Sequence, residues 1–219
     1  MQDDPVRPDV HAVVPGMEVV AFDLDGTLTV RDCVLPFLAG MAGPVGALRG
    51  LARVPSVILG SRGDGRRDAM KRHAVRSCLR GRSEDEVLSR GERFAERVAR
   101  GWMRADTCAR LRRHQRDGHV VVLVSASLGP YVHPLAEILE MDAAMCTEVE
   151  FADGRATGEI AGENCRGPEK VRKLLEWGSS AGFDGTDWLA TAYGDSGGDT
   201  ELLAAARTGV HVGRSEVRP

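Results

Sequence analysis

Between Gly16 and Gly26 the chain reads Val19-Val20-Ala21-Phe22-Asp23-Leu24-Asp25, four apolar residues that stop on two carboxylates two positions apart. The run is β-branched and aromatic with no polar alternation. It predicts a strand buried on both faces, as in parallel sheets covered by helices. Asp23 then stands at the strand's carboxyl end, the edge where open α/β sheets bind ligands. Alternation would point Asp23 and Asp25 the same way, although Gly26 predicts that the chain is already turning. Two carboxylates this close repel, so a metal ion, a shared proton or a cationic ligand is needed for both to be tolerated. An isolated Asp-x-Asp after a strand also serves as a plain turn or helix cap.

Three later segments supply what such a pair would need. Val120-Val121-Val122-Leu123-Val124-Ser125 follows the helix stop Gly118 and reads as a second buried strand ending in a hydroxyl. Gly167-Pro168-Glu169-Lys170 has a proline where a first helical turn accepts one, which places Lys170 in that turn. Thr191-Ala192-Tyr193-Gly194-Asp195-Ser196-Gly197-Gly198-Asp199 is a short strand running into a glycine-rich loop with two more carboxylates. Taken singly, Ser125 is an ordinary strand-end residue and Lys170 a solvated helix-start residue. Asp199 equally suits the N-cap of a helix over Thr200-Glu201-Leu202-Leu203.

In this order the four segments resemble the four motifs of the haloacid dehalogenase superfamily of aspartate-nucleophile phosphatases, in its phosphoserine-phosphatase-like branch. The likeness runs from about residue 17 to 212 through D-x-D-G-T-L-T, S-A-S, the P-x-K helix start and G-D-S-x-x-D. It implies an α/β fold: a Rossmann-like, doubly wound parallel sheet with an inserted helical cap domain and a small β-hairpin flap. It also implies a magnesium-dependent phosphomonoester hydrolase, with Asp23 as nucleophile forming an aspartyl-phosphate and Asp25 as acid and then base. Magnesium would be held by the Asp23 carboxylate, the Asp25 backbone carbonyl and Asp195, with Asp199 supporting from behind. Ser125 and Lys170 would hold the phosphoryl oxygens, helped by backbone donors around Gly26, Thr27 and Ala126. A phosphotransferase or mutase on the same scaffold, phosphoserine phosphatase proper and a non-catalytic phosphate-binding module are the alternatives.

Composition agrees with one enzyme-sized unit. A chain of 219 residues that is 42% hydrophobic can bury a full core. No stretch reads as a membrane span, the nearest being the proline- and glycine-interrupted run over 33–48. Residues 1–15 read as a flexible polar leader and not a signal peptide. Five cysteines without C-x-x-C spacing or clustered histidines suggest a reduced, cytoplasmic protein without structural zinc. Cys33 reads as a small packing residue.

About ninety residues separate the first two strands, which predicts a helical cap over 33–104 inserted into a core formed by 16–32 and 105–219. Val87, Gly91, Phe94, Ala95, Val98 and Trp102 fall on one helical face there. The segment 106–116 reads as the core helix leading into the Val120 strand. Residues 33–104 hold fourteen arginines and Lys71 against seven acids, a net of +8, while the remainder carries −11. A basic cap of this kind would steer a small anionic phosphomonoester toward the site. Arg72 and Arg76 are the candidate contacts, and a merely solvated face is the competing reading. Sparse aromatics speak against nucleic acid. Oligomeric state is not legible. The segment 148–160 predicts a hairpin around Asp153-Gly154, lying between the third core strand and the Lys170 helix.

Three departures weaken the assumption of phosphoserine as substrate. The acidic residue after the first motif is Asp32 where those phosphatases carry Glu. Ser125 is followed by Ala126-Ser127 in place of two glycines, and Gly198 stands where they carry Asn.

Overall fold

The computed structural model describes residues 17–51 and 65–213. The expected leader therefore lies outside the described residues, as do 52–64 of the expected cap and 214–219 of the expected core. Among the described residues, strand β1 (Val19–Phe22) is followed by helices α1 (Val34–Leu51), α2 (Gly65–Leu79) and α3 (Glu84–Gly101). Helix α4 (Ala105–Arg116) then returns the chain to β2 (Val120–Leu128). The remaining elements are α5 (Gly129–Ile138), β3 (Ala143–Ala152), β4 (Arg155–Ala161), α6 (Pro168–Ser180), β5 (Leu189–Gly194), α7 (Thr200–Ala205) and β6 (Thr208–His211). They form a six-stranded sheet of order β4-β3-β2-β1-β5-β6, parallel except for β3 against β4.

Unbroken apolar strands make this sheet double-sided. Val20, Phe22, Val121 and Leu123 join one core with Phe37, Phe94, Leu111 and Tyr131, and Val19, Ala21, Val122 and Val124 join another with Leu174, Trp188 and Leu202. Successive residues of one strand thus feed opposite faces, as the two-residue period requires. Phe22, the last residue of β1, lies in register with Leu123 and Tyr193; β5 ends one residue later and β2 runs on to Leu128. The chain leaves β1 toward β2 on one side and reaches β5 on the other. That is the reversal of strand order at which a crevice opens.

Helix α3 is capped by Ser83, whose side chain accepts from the Glu86 N–H, and buries Val87, Gly91, Phe94, Ala95 and Val98 of the expected stripe, with Trp102 half-buried at its C-cap. Gly91 in that stripe is a contact requirement, since a Cβ there would lie 1.9 Å from the Pro130 carbonyl oxygen of α5. The hairpin turns at Asp153 and Gly154, both at positive φ, as an Asp-Gly turn demands. Its placement differs from the sequence reading, because its first strand is the third core strand itself. No Gly or Pro interrupts 143–152, so β3 runs on past its parallel partner β2 and pairs with β4. The far end of the hairpin is tied to the α2–α3 turn by backbone bonds from Gly81 to Ala156, Ala156 to Arg82 and Glu84 to Gly154. Among the described residues no helix is long and apolar enough to cross a membrane.

Candidate active site

The shared register of β1, β2 and β5 brings Asp23, Ser125 and Asp195 to one edge, and Gly167-Pro168 starts α6 so that Lys170 reaches the same edge. Asp23, Asp25, Gly26, Ser125, Ala126, Lys170, Asp195 and Asp199 all line one cavity of about 1190 Å³, and so does Asp32. Thr27 is buried beside it and donates from Oγ1 to Asp23 Oδ2 at 3.1 Å. Gly26 sits at φ +80°, where a Cβ would fall 2.2 Å from Asp195 Oδ2. The glycine therefore makes room for the fourth motif's carboxylate as well as for the turn.

Lys170 is the centre of the charge arrangement. Its Nζ donates to Asp23 Oδ1 at 2.6 Å and to Asp199 Oδ1 at 2.5 Å, and only 2% of the residue is exposed. Burial alone would pull its pKa down, but the two carboxylates outweigh burial and hold it above the ordinary lysine value. Asp199 is occupied on both oxygens, because Oδ2 also accepts from Ser196 N–H (3.0 Å) and Ser196 Oγ (2.8 Å). Burial opposes its ionisation, yet Lys170 and these hydrogen bonds keep its pKa low. Its side chain closes a capping box on the turn at 197–199 and does not cap α7, which corrects the plain N-cap alternative. Asp23 goes the other way, raised to about 7 by burial and by the Asp199 and Asp25 charges, against Lys170. Asp195, half-buried, is raised by burial and by Asp199.

Asp25 is held by Ser127 of β2 and by the segment leading into α1. Its Oδ2 accepts from Ser127 Oγ at 2.6 Å and its Oδ1 from the Cys33 N–H at 2.8 Å, while Tyr131 donates to Ser127 at 2.7 Å. Burial, with help from Asp32, pushes Asp25 up to about 6 against those two donors. Cys33 thus contributes its backbone N–H. Burial drives its thiol far above the usual range, in keeping with a packing residue. Asp32 accepts from the Leu35 N–H at 3.2 Å and is exposed at the cavity wall.

The structure does not bring Arg72 and Arg76 to the cavity. Arg72 pairs with Glu163 at 3.0 Å and Arg76 with Glu159 of β4, so both tie α2 to the hairpin region. The reason was invisible in linear charge counts, since their carboxylates lie more than eighty residues downstream. Besides Lys170, the arginines that do line the cavity are Arg31, Arg104 and Arg166. Arg31 stacks its guanidinium over Trp102 at 4.2 Å, and buried Arg104 pairs with Asp106 and donates to the Gly26 and Gly213 carbonyls. Arg166 lies against Gly198, where a Cβ would fall 2.9 Å from its Nε. The missing side chain at Gly198 therefore leaves room for the Arg166 guanidinium.

Lys71 of α2 also escaped the sequence reading. Its Nζ donates to the Ala126 carbonyl, to Thr147 Oγ1 at 2.8 Å and to Asn164 Oδ1 at 2.6 Å, and burial lowers its pKa to about 8. It fixes the 126–127 peptide, whose N–H donates to Ser125 Oγ at 3.1 Å. With that bond accepted, the Ser125 hydroxyl proton is left to face the cavity. Spacing could have flagged Ser127, two residues from Ser125 on a strand.

Four hard-oxygen and cationic motifs at one strand edge find their counterpart in known proteins. The sequence profile described as haloacid dehalogenase-like hydrolase matches residues 20–204. The chain belongs to this family. It is 38% identical over 189 residues to protein CicA of Caulobacter vibrioides, covering 86% of this chain and 82% of that one. It is 29% identical to a probable phosphatase of Mycobacterium tuberculosis, covering 84% of this chain and 64% of the other. A phosphoserine phosphatase solved with a phospho-aspartyl intermediate analogue superposes at TM-score 0.59 and 21% identity, covering 87% and 83% of the two chains. This haloacid dehalogenase-type chain has the phosphoserine-phosphatase-like fold and is a phosphatase.

Proposed function

We propose that this phosphatase hydrolyses a small phosphomonoester through an aspartyl-phosphate on Asp23, with magnesium as its metal. The observation that carries the reading is the convergence of Asp23, Ser125, Lys170 and Asp195 on one cavity, with Asp25 held at its edge. Carboxylate oxygens of Asp23, Asp195 and Asp199 come within 4.8 Å of one another, and hard oxygen donors of this kind suit magnesium. By the family pattern Asp23, Asp195 and the Asp25 carbonyl would hold the ion, while Asp199, bound by Lys170 and Ser196, supports from behind. Bound there, magnesium would neutralise charge on the phosphoryl oxygens and on the carboxylates around them.

Phosphoryl transfer needs positioning and charge neutralisation more than covalent assistance. Lys170 and Thr27 fix the Asp23 carboxylate, one on each oxygen, so that it is aimed before substrate arrives. An Asp23 oxygen attacks phosphorus, the bond to the leaving oxygen breaks, and Asp25 gives that oxygen its proton. A pKa raised toward neutrality lets Asp25 carry the proton at working pH. Water then attacks the phosphorus of the aspartyl-phosphate, Asp25 takes the water's proton, and Asp23 and inorganic phosphate are released. Ser125 Oγ–H and the Lys170 ammonium stabilise the phosphoryl oxygens throughout. The three departures favour a substrate other than phosphoserine, and Gly198 leaves room for the Arg166 guanidinium at the cavity wall.

Hydrolysis of an aryl phosphate should require magnesium, stop on chelation and disappear in Asp23→Asn. Turnover in the metal-free protein or in that variant would overturn the mechanism. A panel of phosphometabolites, with phosphoserine among them, then identifies the leaving group. Phosphoserine as the fastest substrate would refute the weight given to Asp32, Ala126 and Gly198.

A further inference from the structure

His133 of α5 and Cys146 and Glu148 of β3 form a second polar cluster that lines no part of the catalytic cavity. Their donor atoms converge: His133 Nε2 lies 2.9 Å from Glu148 Oε1 and 3.5 Å from Cys146 Sγ, and Sγ lies 3.0 Å from the same carboxylate oxygen. One imidazole nitrogen, one thiol and one carboxylate make up a mixed nitrogen, sulfur and oxygen set, with all three atoms inside 4.8 Å. Cys146 and Glu148 are two residues apart on one strand and so share a face, and His133 comes from the helix packed on that face. The chain has cleared space for the arrangement: a Cβ at Gly129 would lie 2.2 Å from Glu148 Oε2. Lys173 donates to the Cys146 carbonyl at 2.7 Å and places a cation beside the thiol and carboxylate.

We infer that His133, Cys146 and Glu148 bind a divalent cation of the zinc class at a site separate from the phosphatase centre. Zinc takes thiolate, imidazole and carboxylate ligands at about 2.0–2.3 Å in tetrahedral geometry, which sets ligand atoms roughly 3.3–3.6 Å apart. The three donors already stand close to that spacing, drawn slightly inward by the hydrogens now lying between them. Binding releases the Cys146 thiol proton, since the thiolate is the ligand. The half-exposed His133 and Glu148 leave the fourth position to water. Magnesium does not compete, because sulfur and nitrogen suit it poorly. Occupancy would clamp the helix that carries Tyr131 to the strand that carries Thr147, and both of these residues support the turn after Ser125.

Cobalt(II) titrated into the full chain in saturating magnesium tests this, because cobalt reports thiolate ligation by a near-ultraviolet charge-transfer band. The expected result is a band that saturates at one equivalent, is bleached by zinc and is absent in Cys146→Ser. Zinc at about a hundredfold excess over its dissociation constant should also raise the thermal midpoint by roughly 5–10 °C. His133→Ala alters a solvent-exposed side chain and keeps the core, so it covers the case in which Cys146→Ser fails to fold. It should lose or strongly weaken the band. No band in the wild type, or an unchanged band in either variant, overturns the site.

Discussion

Lys170 and Arg76 each face carboxylates, and their surroundings separate them. Lys170 sits between Asp23 and Asp199 at the end of the central strands, with all three side chains almost entirely buried. Arg76 meets Glu159 with more than half of its side chain in solvent. Removing one partner of a buried pair strands a charge in a poorly polarisable interior, whereas removing one partner of an exposed pair hands the other to water. The strand-end region uses few charges, each of which several neighbours depend on. The helical insertion and hairpin use many, each nearly independent of the next.

The largest expected effect breaks the buried side of this contrast at its reactive atom. Asp23→Asn should lower turnover by roughly four orders of magnitude or more while the protein stays folded, because the nucleophile is lost and the volume kept. Lys170→Met comes next and should be worse for stability. Two carboxylates are left facing each other in the interior, so chemical denaturation should show a loss of about 3–5 kcal/mol. Adding Asp199→Asn to Lys170→Met should recover part of that loss. A cost for Lys170→Met no larger than that of a surface substitution would remove the distinction drawn between the two regions.

Lys71 sharpens the comparison, since it belongs to the insertion by sequence and to the buried class by environment. Lys71→Met keeps the aliphatic stem and deletes three donated bonds, of which Thr147 can remake the one to Ala126, 3.0 Å away. The expected loss is about 1–3 kcal/mol. kcat/KM should fall by roughly tenfold as the 126–127 peptide, and through it Ser125, loses its fixed geometry. Lys71→Arg should not rescue activity, because a planar fork cannot replace a compact ammonium among three converging oxygens. Full activity in Lys71→Met would make this contact structural only.

The strand-end region was legible because its chemistry is local. Asp23, Ser125, Lys170 and Asp195 each follow an apolar run or a helix-start signal, and parallel register then brings them together. The support around them was not, since Tyr131, Cys33 N–H and Arg104 act through bonds that only the fold creates. Composition nevertheless held an unread signal. Of 29 basic residues 26 are arginine, and two of the three lysines place a compact ammonium among several converging oxygens: Lys71 with Ala126, Thr147 and Asn164, and Lys170 with Asp23 and Asp199. The hairpin was legible as an Asp-Gly turn, but its continuity with the third core strand was not, because pairing partners are non-local.

The smallest expected effect belongs to Arg72 and Arg76, where the sequence reading placed substrate steering. Glu163 is exposed and Glu159 only half-buried, so Arg72→Ala and Arg76→Ala should each change stability by no more than about 0.5–1 kcal/mol. KM for the aryl phosphate should stay within about twofold at physiological salt, where charges outside the cavity are screened beyond roughly 8 Å. Arg166→Ala in the same assay provides the scale, because its guanidinium lines the cavity beside Gly198. A KM that rises in Arg166→Ala and stays level in Arg76→Ala places anion recognition on the core wall. The reverse result would mean that the cation count of the insertion, and not the bonds its arginines make, governs substrate capture.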